Sequence, residues 1–144
     1  MKRFTRCACF FLAIMMLLIT PAFAAETVTP RASSYFMCIS AYLEKTTGTQ
    51  FEVWFDVTAV GGMDELGVSE IKVQRSSDGV NWTTMKTYSK DYYPQMICDN
   101  TVAHADCVTY TGTAGYYYRA YVCFYAKNSS GFGEYDEYTS SIKL

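Results

Sequence analysis

The sequence predicts an all-β domain, an antiparallel two-sheet sandwich of about seven strands. Three observations carry that prediction. Short runs of alternating apolar and polar residues recur along the chain, separated by clusters of Gly, Asn, Asp and Ser. Aromatics make up 17% of the residues, with thirteen Tyr against three Pro, a balance that suits strands. Beyond residue 24 no amphipathic helical pattern is long enough to stand alone.

Residues 1–24 read as a secretory signal peptide. Lys2, Arg3 and Arg6 supply the positive start, Cys7 to Ile19 is an uncharged apolar run, and Ala22-Phe23-Ala24 is a small-x-small cleavage site. Its apolar run is short for a membrane span of ~20 residues. Cleavage would remove three of the twelve basic residues and none of the fourteen acidic ones, leaving 120 residues with a formal charge of −5. An acidic exported chain lacks the clustered Lys and Arg that nucleic acid requires. The expected location is therefore extracellular or in the cell envelope, with no membrane span after cleavage.

Residues 25–34 are small and polar and read as a flexible lead-in. The sandwich domain then occupies 35–144. Tyr35–Glu44 alternates, with Met37, Ile39, Ala41 and Leu43 on one face. Phe51, Val53, Phe55 and Val57 form the clearest period-2 set, which Gly61-Gly62 is expected to end. Met63-Asp64-Glu65-Leu66 before Gly67 reads as one helical turn. Glu70–Arg75 and Trp82–Tyr88 are read as a hairpin around Asp78-Gly79, because Gly supplies the positive φ of a tight turn. Residues 89–104 read as irregular, Cys107–Tyr110 as a short strand, and Tyr116–Lys127 as a long one. In that long strand Tyr116, Tyr118, Ala120, Val122, Phe124 and Ala126 share the core face. Tyr135–Leu144 is the last expected strand, with Tyr138, Ile142 and Leu144 inward.

The run GYYYRAYVCFYAKN from Gly115 to Asn128, with Gly131 and Gly133-Glu134 after it, resembles the penultimate strand and following hairpin of a fibronectin type III-like domain. Ile71–Trp82, with Ser77-Asp78-Gly79, is similar to a hairpin of bacterial domains of that kind. The mature chain also resembles small exported Gram-positive bacterial proteins of unknown function. The resemblance implies a fibronectin type III-like or immunoglobulin-like sandwich and carries no chemistry. Such domains place an inward Trp on the second strand, whereas Trp54 is out of phase with Phe51 to Val57. Tyr116 and Tyr118 are the two candidates for the tyrosine that locks the corner before the penultimate strand.

Four cysteines lie beyond the leader: Cys38, Cys98, Cys107 and Cys123. An even number in an exported domain favours disulfides, and four allow three pairings. Cys98 with Cys107 would close a loop of about ten residues, contributing ~2–3 kcal/mol in the chain-entropy model, and would leave Cys38 with Cys123. Free thiols are the alternative. Cys98, His104, Asp106 and Cys107 could be drawn as a zinc set, but their spacing fits no finger or ribbon; the reading assigns no metal, no cofactor and no catalytic residue. His104 with Asp106 or Asp99 lacks a nucleophile motif, and the acidic groups Asp64-Glu65 and Glu134, Asp136, Glu137 read as solvated.

The tyrosines carry the functional expectation. Tyr117, Tyr121 and Tyr125 share the strand face opposite the core set, with Arg119 and Cys123 between them, and Trp54 is a further exposed-phase aromatic. Amphipathic rings on a surface bury large areas at low entropic cost. The expected protein is a secreted, non-enzymatic sandwich that binds an extracellular protein or envelope glycan through this aromatic face. The alternatives are a spacer whose tyrosines only stabilise the sheets, and a small hydrolase or inhibitor.

Overall fold

The computed structural model describes residues 34–144; the expected signal peptide and the lead-in through residue 33 lie outside the described residues. Seven strands follow in order: β1 (Phe36–Lys45), β2 (Gln50–Ser76), β3 (Thr83–Ser89), β4 (Ile97–Thr111), β5 (Tyr117–Asn128), β6 (Gly131–Tyr138) and β7 (Ile142–Lys143). All pairings are antiparallel, in one sheet ordered β1-β2-β5-β6, with β3 and β4 also on β2 and β7 on β5. The sheet curls into a half-barrel whose concave side holds the core.

The curl begins in β2, a single strand of 27 residues. Its first part, Phe51 to Ala59, pairs with β1 on one side and with the second part of β4 on the other. Its later part, Glu65 to Ser76, pairs with β5, while β3 and the start of β4 share its other edge. Register shifts between Thr58 and Met63 and between Val68 and Glu70 mark the bend, as bulges do in curving sheets. Here the structure differs from the sequence reading. Gly61-Gly62 bends the strand without ending it, and Met63–Leu66 is extended. Glu65 pairs across to Asp99 on one side and to Lys127 on the other. A single helical turn has no comparable set of partners, so the ladder wins.

Residues 89–104 are also more regular than expected. β4 starts at Ile97, preceded by one 3-10 turn, Pro94–Met96, whose Met96 is fully buried. Gly67 makes this junction possible: a Cβ there would fall 2.0 Å from the Met96 carbonyl oxygen.

The core takes alternate residues from each strand. Phe51, Val53, Phe55 and Val57 from β2 meet Tyr118, Ala120, Val122 and Phe124 from β5, as the period-2 pattern predicts. Burying each large apolar side chain contributes roughly 1.5–3 kcal/mol before entropy is counted. Two inward assignments fail. Met37 is 60% exposed because a register irregularity between Phe36 and Cys38 shifts the phase of β1 and buries Phe36 instead. Tyr138 is 53% exposed because it pairs with outward-facing Tyr121.

Of the two candidate tyrosines, Tyr118 is the one whose hydroxyl meets the backbone. It is fully buried against Phe51, ring centroids 5.3 Å apart, and its hydroxyl accepts the Thr113 N–H at 2.8 Å. Gly112 leaves room for that ring, since a Cβ there would lie 2.8 Å from it. Tyr116 is half-buried beneath the Arg75 guanidinium, 4.5 Å from the ring centre.

Candidate functional site

Successive residues of a strand point to opposite faces. With Tyr118 to Ala126 inward at even positions, β5 turns Tyr117, Arg119, Tyr121, Cys123, Tyr125 and Lys127 outward. The neighbouring strands supply their partners. Arg119 stands opposite Gln74, Tyr121 opposite Lys72 on one side and Tyr138 on the other, and Cys123 between Glu70 and Asp136.

These neighbours form a continuous lattice of rings and cations. The Arg119 guanidinium lies between Trp82 and Tyr138, 4.4 Å from each ring centre, and its Nε donates to Gln74 Oε1 at 2.8 Å. Tyr138 meets Tyr121 edge to face at 5.4 Å, and Lys72 stands 5.1 Å over Tyr121. Further along, Tyr125 stacks with Phe132 at 6.2 Å and carries Lys90 3.8 Å above its ring. At the other end Lys143 lies 4.9 Å from the Tyr117 ring. Each cation–ring contact at a wet surface contributes about 0.5–1 kcal/mol. Acidic partners are interleaved: Glu70 pairs with Lys72 at 2.6 Å, and Glu65 pairs with Lys127 at 2.6 Å and Lys90 at 3.4 Å.

Burial and acidic neighbours shift two groups on this face. Partial burial, then a hydrogen bond and the negative charge of Asp136, raise the Tyr121 phenol above its ordinary value. Burial is the largest influence on the Cys123 thiol and pushes it up to about 11. Neither group supplies an anion near neutrality.

Of the four aromatics expected on one surface, Tyr117, Tyr121 and Tyr125 are together and half-buried. Trp54 is not with them. It lies on the first part of β2, stacked with Tyr42 at 6.5 Å, and its indole N–H donates to Glu52 Oε2 at 2.9 Å. The bend in β2 separates the two outer surfaces. The sequence reading omitted Trp82, Tyr138, Lys72, Lys90 and Phe132. The Asp-Gly hairpin is a signal that could have placed Trp82, because it returns β3 alongside β2.

The cysteines differ from the expected pairing. All four are free thiols. Cys98 and Cys107 lie on the same strand, nine positions apart. An extended chain separates them by about 30 Å, whereas a disulfide needs Cα atoms within ~7 Å. Cys38 is exposed on β1 while Cys123 is buried beneath the aromatic face. Burial raises the Cys107 thiol, with Glu52 and Asp106 adding to it.

The expected irregular loop around His104 is a strand, and that disperses its groups. His104 and Cys107 sit three positions apart, on opposite faces. His104 Nε2 lies 2.9 Å from the Gln95 carbonyl oxygen, and Asp106 Oδ1 accepts the Cys107 N–H at 2.7 Å. Among the described residues no group of three His, Cys, Asp or Glu could hold a metal ion, and no helix is long and apolar enough to cross a membrane. A depression of about 400 Å³ lies between β3 and β4, lined by Lys86, Tyr88, Tyr93, Gln95, Cys107, Val108 and Thr109. On its lining the Tyr88 hydroxyl donates to the Thr109 carbonyl at 2.7 Å, and burial pushes that phenol up to about 12.

No protein-family model, curated protein or solved structure matches this chain.

Proposed function

We propose that the chain is an exported, non-enzymatic binding module of the fibronectin type III-like or immunoglobulin-like class. Its binding surface is the outer face of β3, β2, β5 and β6, and its partner is an extracellular protein or a cell-envelope glycan. The observation that carries the reading is the Trp82–Arg119–Tyr138–Tyr121–Lys72 lattice. It holds large amphipathic rings in fixed orientations, so little side-chain entropy remains to be lost on binding.

Two features support the two-sheet sandwich. The bend lets β2 serve β1 and β4 with one half and β3 and β5 with the other. The Tyr118 hydroxyl bonded to the Thr113 backbone matches the tyrosine corner of such domains. The non-enzymatic reading is supported by His104 engaged with a backbone carbonyl and by the raised thiols of Cys107 and Cys123.

The competing reading is a spacer whose rings serve only to hold strands together, since the same rings stack on one another. Tyr121→Ala and Tyr138→Ala, alone and together, decide between them. Retention of the protein on isolated cell envelopes should fall by about tenfold in the double variant, the scale of removing central interface aromatics. The melting temperature should stay within a few degrees of wild type. Unchanged retention with a large fall in melting temperature supports the spacer.

A further inference from the structure

We propose that Arg119 is the centre of a carboxylate-binding subsite and that the ligand of the aromatic face is a carboxylate-bearing polysaccharide. The proposal rests on the reading of that face as a binding surface and narrows it to a ligand class.

Arg119 has five N–H groups. Nε donates to Gln74 Oε1 at 2.8 Å, and among the described residues the two terminal nitrogens have no hydrogen-bond partner. They are not sealed in, because no buried side-chain nitrogen in the described structure lacks a partner. The Trp82 and Tyr138 rings each lie 4.4 Å from the group. The terminal nitrogens form a planar fork whose two N–H vectors match the oxygens of one carboxylate. The rings and Gln74 hold this fork in place before a ligand arrives, which lowers the entropic cost of engaging it.

The surrounding charges single out the same residue. Lys72 has its carboxylate in Glu70, and Lys90 and Lys127 share Glu65. Among the described residues Arg119 has no carboxylate within 4 Å, although acidic residues outnumber basic ones in the chain. Lys143, over Tyr117, is a second cation of this face without an acidic partner among the described residues. Two unpaired cations beside flat rings complement a ligand that alternates acid groups with apolar ring faces. A uronic-acid polymer has that character, because a pyranose offers C–H surfaces to Tyr and Trp and a carboxylate to the fork.

The test uses the full exported protein on immobilised polygalacturonate, its fully methyl-esterified form, and poly-L-glutamate. Wild type should bind polygalacturonate about tenfold or more tightly than the methyl ester, the scale of a charge-assisted bidentate pair. Arg119→Gln should lose that preference, and Arg119→Lys should fail to restore it because an ammonium has no fork. Equal binding to polygalacturonate and its methyl ester overturns the carboxylate subsite while leaving the aromatic-face reading intact. Binding to poly-L-glutamate as tight as to polygalacturonate overturns the polysaccharide assignment. Absence of binding to polygalacturonate overturns the proposal, whereas envelope retention of the Tyr121 and Tyr138 variants decides the broader reading separately. The ester comparison requires only wild-type protein, so it stands even if an Arg119 variant folds poorly.

Discussion

Replacing Tyr118 by Phe removes one oxygen atom from the corner that joins β4 to β5. The ring keeps its packing against Phe51 at 5.3 Å and Tyr110 at 6.0 Å, so the change isolates the hydroxyl. What is lost is the acceptor for the Thr113 N–H at 2.8 Å. A net intramolecular hydrogen bond contributes about 0.5–1.5 kcal/mol, and a donor left unpaired costs more, so a loss of about 1–2 kcal/mol is expected. For a domain of this size that loss lowers the melting temperature by roughly 4–10 °C. Thermal unfolding followed by circular dichroism measures it, with Tyr116→Phe as the paired control. Tyr116 lies under Arg75 and, among the described residues, its hydroxyl makes no hydrogen bond, so that variant should stay within about 0.5 kcal/mol of wild type. A Tyr118→Phe protein that melts with wild type, or a Tyr116→Phe protein that loses as much, refutes the assignment of the corner.

The remaining predictions concern charge and thiols. The Lys127 ammonium hydrogen-bonded to Glu65, with Lys90 nearby, holds the Glu65 carboxyl below its ordinary value. Because the folded-state value is the lower one, Glu65 stabilises the fold above about pH 4.3, and the contribution disappears as pH falls through the folded value. Urea midpoints measured from pH 6 to pH 3 should therefore fall less steeply in Glu65→Gln than in wild type; parallel curves would remove Glu65 from the account. Alkylation of native protein, located by peptide mass spectrometry, should modify Cys38 first and Cys123 last. Recovery of Cys98 and Cys107 as one disulfide-linked peptide would contradict the extended course of β4.

Much of the β5 core pattern was legible because its own alternation is unbroken from Tyr118 to Ala126, the register shift opposite Phe124 and Cys123 falling in β2, and the first part of β2 was legible because its alternation is likewise unbroken. The Asp78-Gly79 turn was legible because its chemistry is local: Asp78 Oδ1 accepts the N–H groups of Val80 and Asn81 at 2.9 and 2.8 Å. What escaped the sequence depends on partners far along the chain. Met63–Leu66 suits a helical turn by itself and becomes strand because β4 and β5 flank it. The Cys98–Cys107 pairing assumed a loop, and the loop became β4. Met37 and Tyr138 were assigned inward by counting across an irregularity or a turn, where the parity of a strand no longer carries over. Trp54 was grouped with the β5 tyrosines because outward phase identifies a face locally, and the bend in β2 creates two such faces.

The tyrosine excess divides along the same line. Inside the curl, Tyr88 and Tyr118 act as large apolar residues whose hydroxyls reach otherwise awkward backbone groups, the Thr109 carbonyl and the Thr113 N–H. A phenylalanine could fill those volumes but could not satisfy those groups. On the outer face, Tyr121 and Tyr138 present ring surfaces to cations and to each other. Composition alone cannot separate these uses, because both follow from a residue with an apolar body and a polar tip. The separation becomes visible at Arg119. A lattice needed only to hold strands together could pair that charge with one of the neighbouring carboxylates, as Lys72 and Lys127 are paired. Arg119 instead lies beside two rings with its terminal nitrogens unspent among the described residues, and this arrangement is the strongest reason to regard the outer tyrosines as a surface prepared for a ligand.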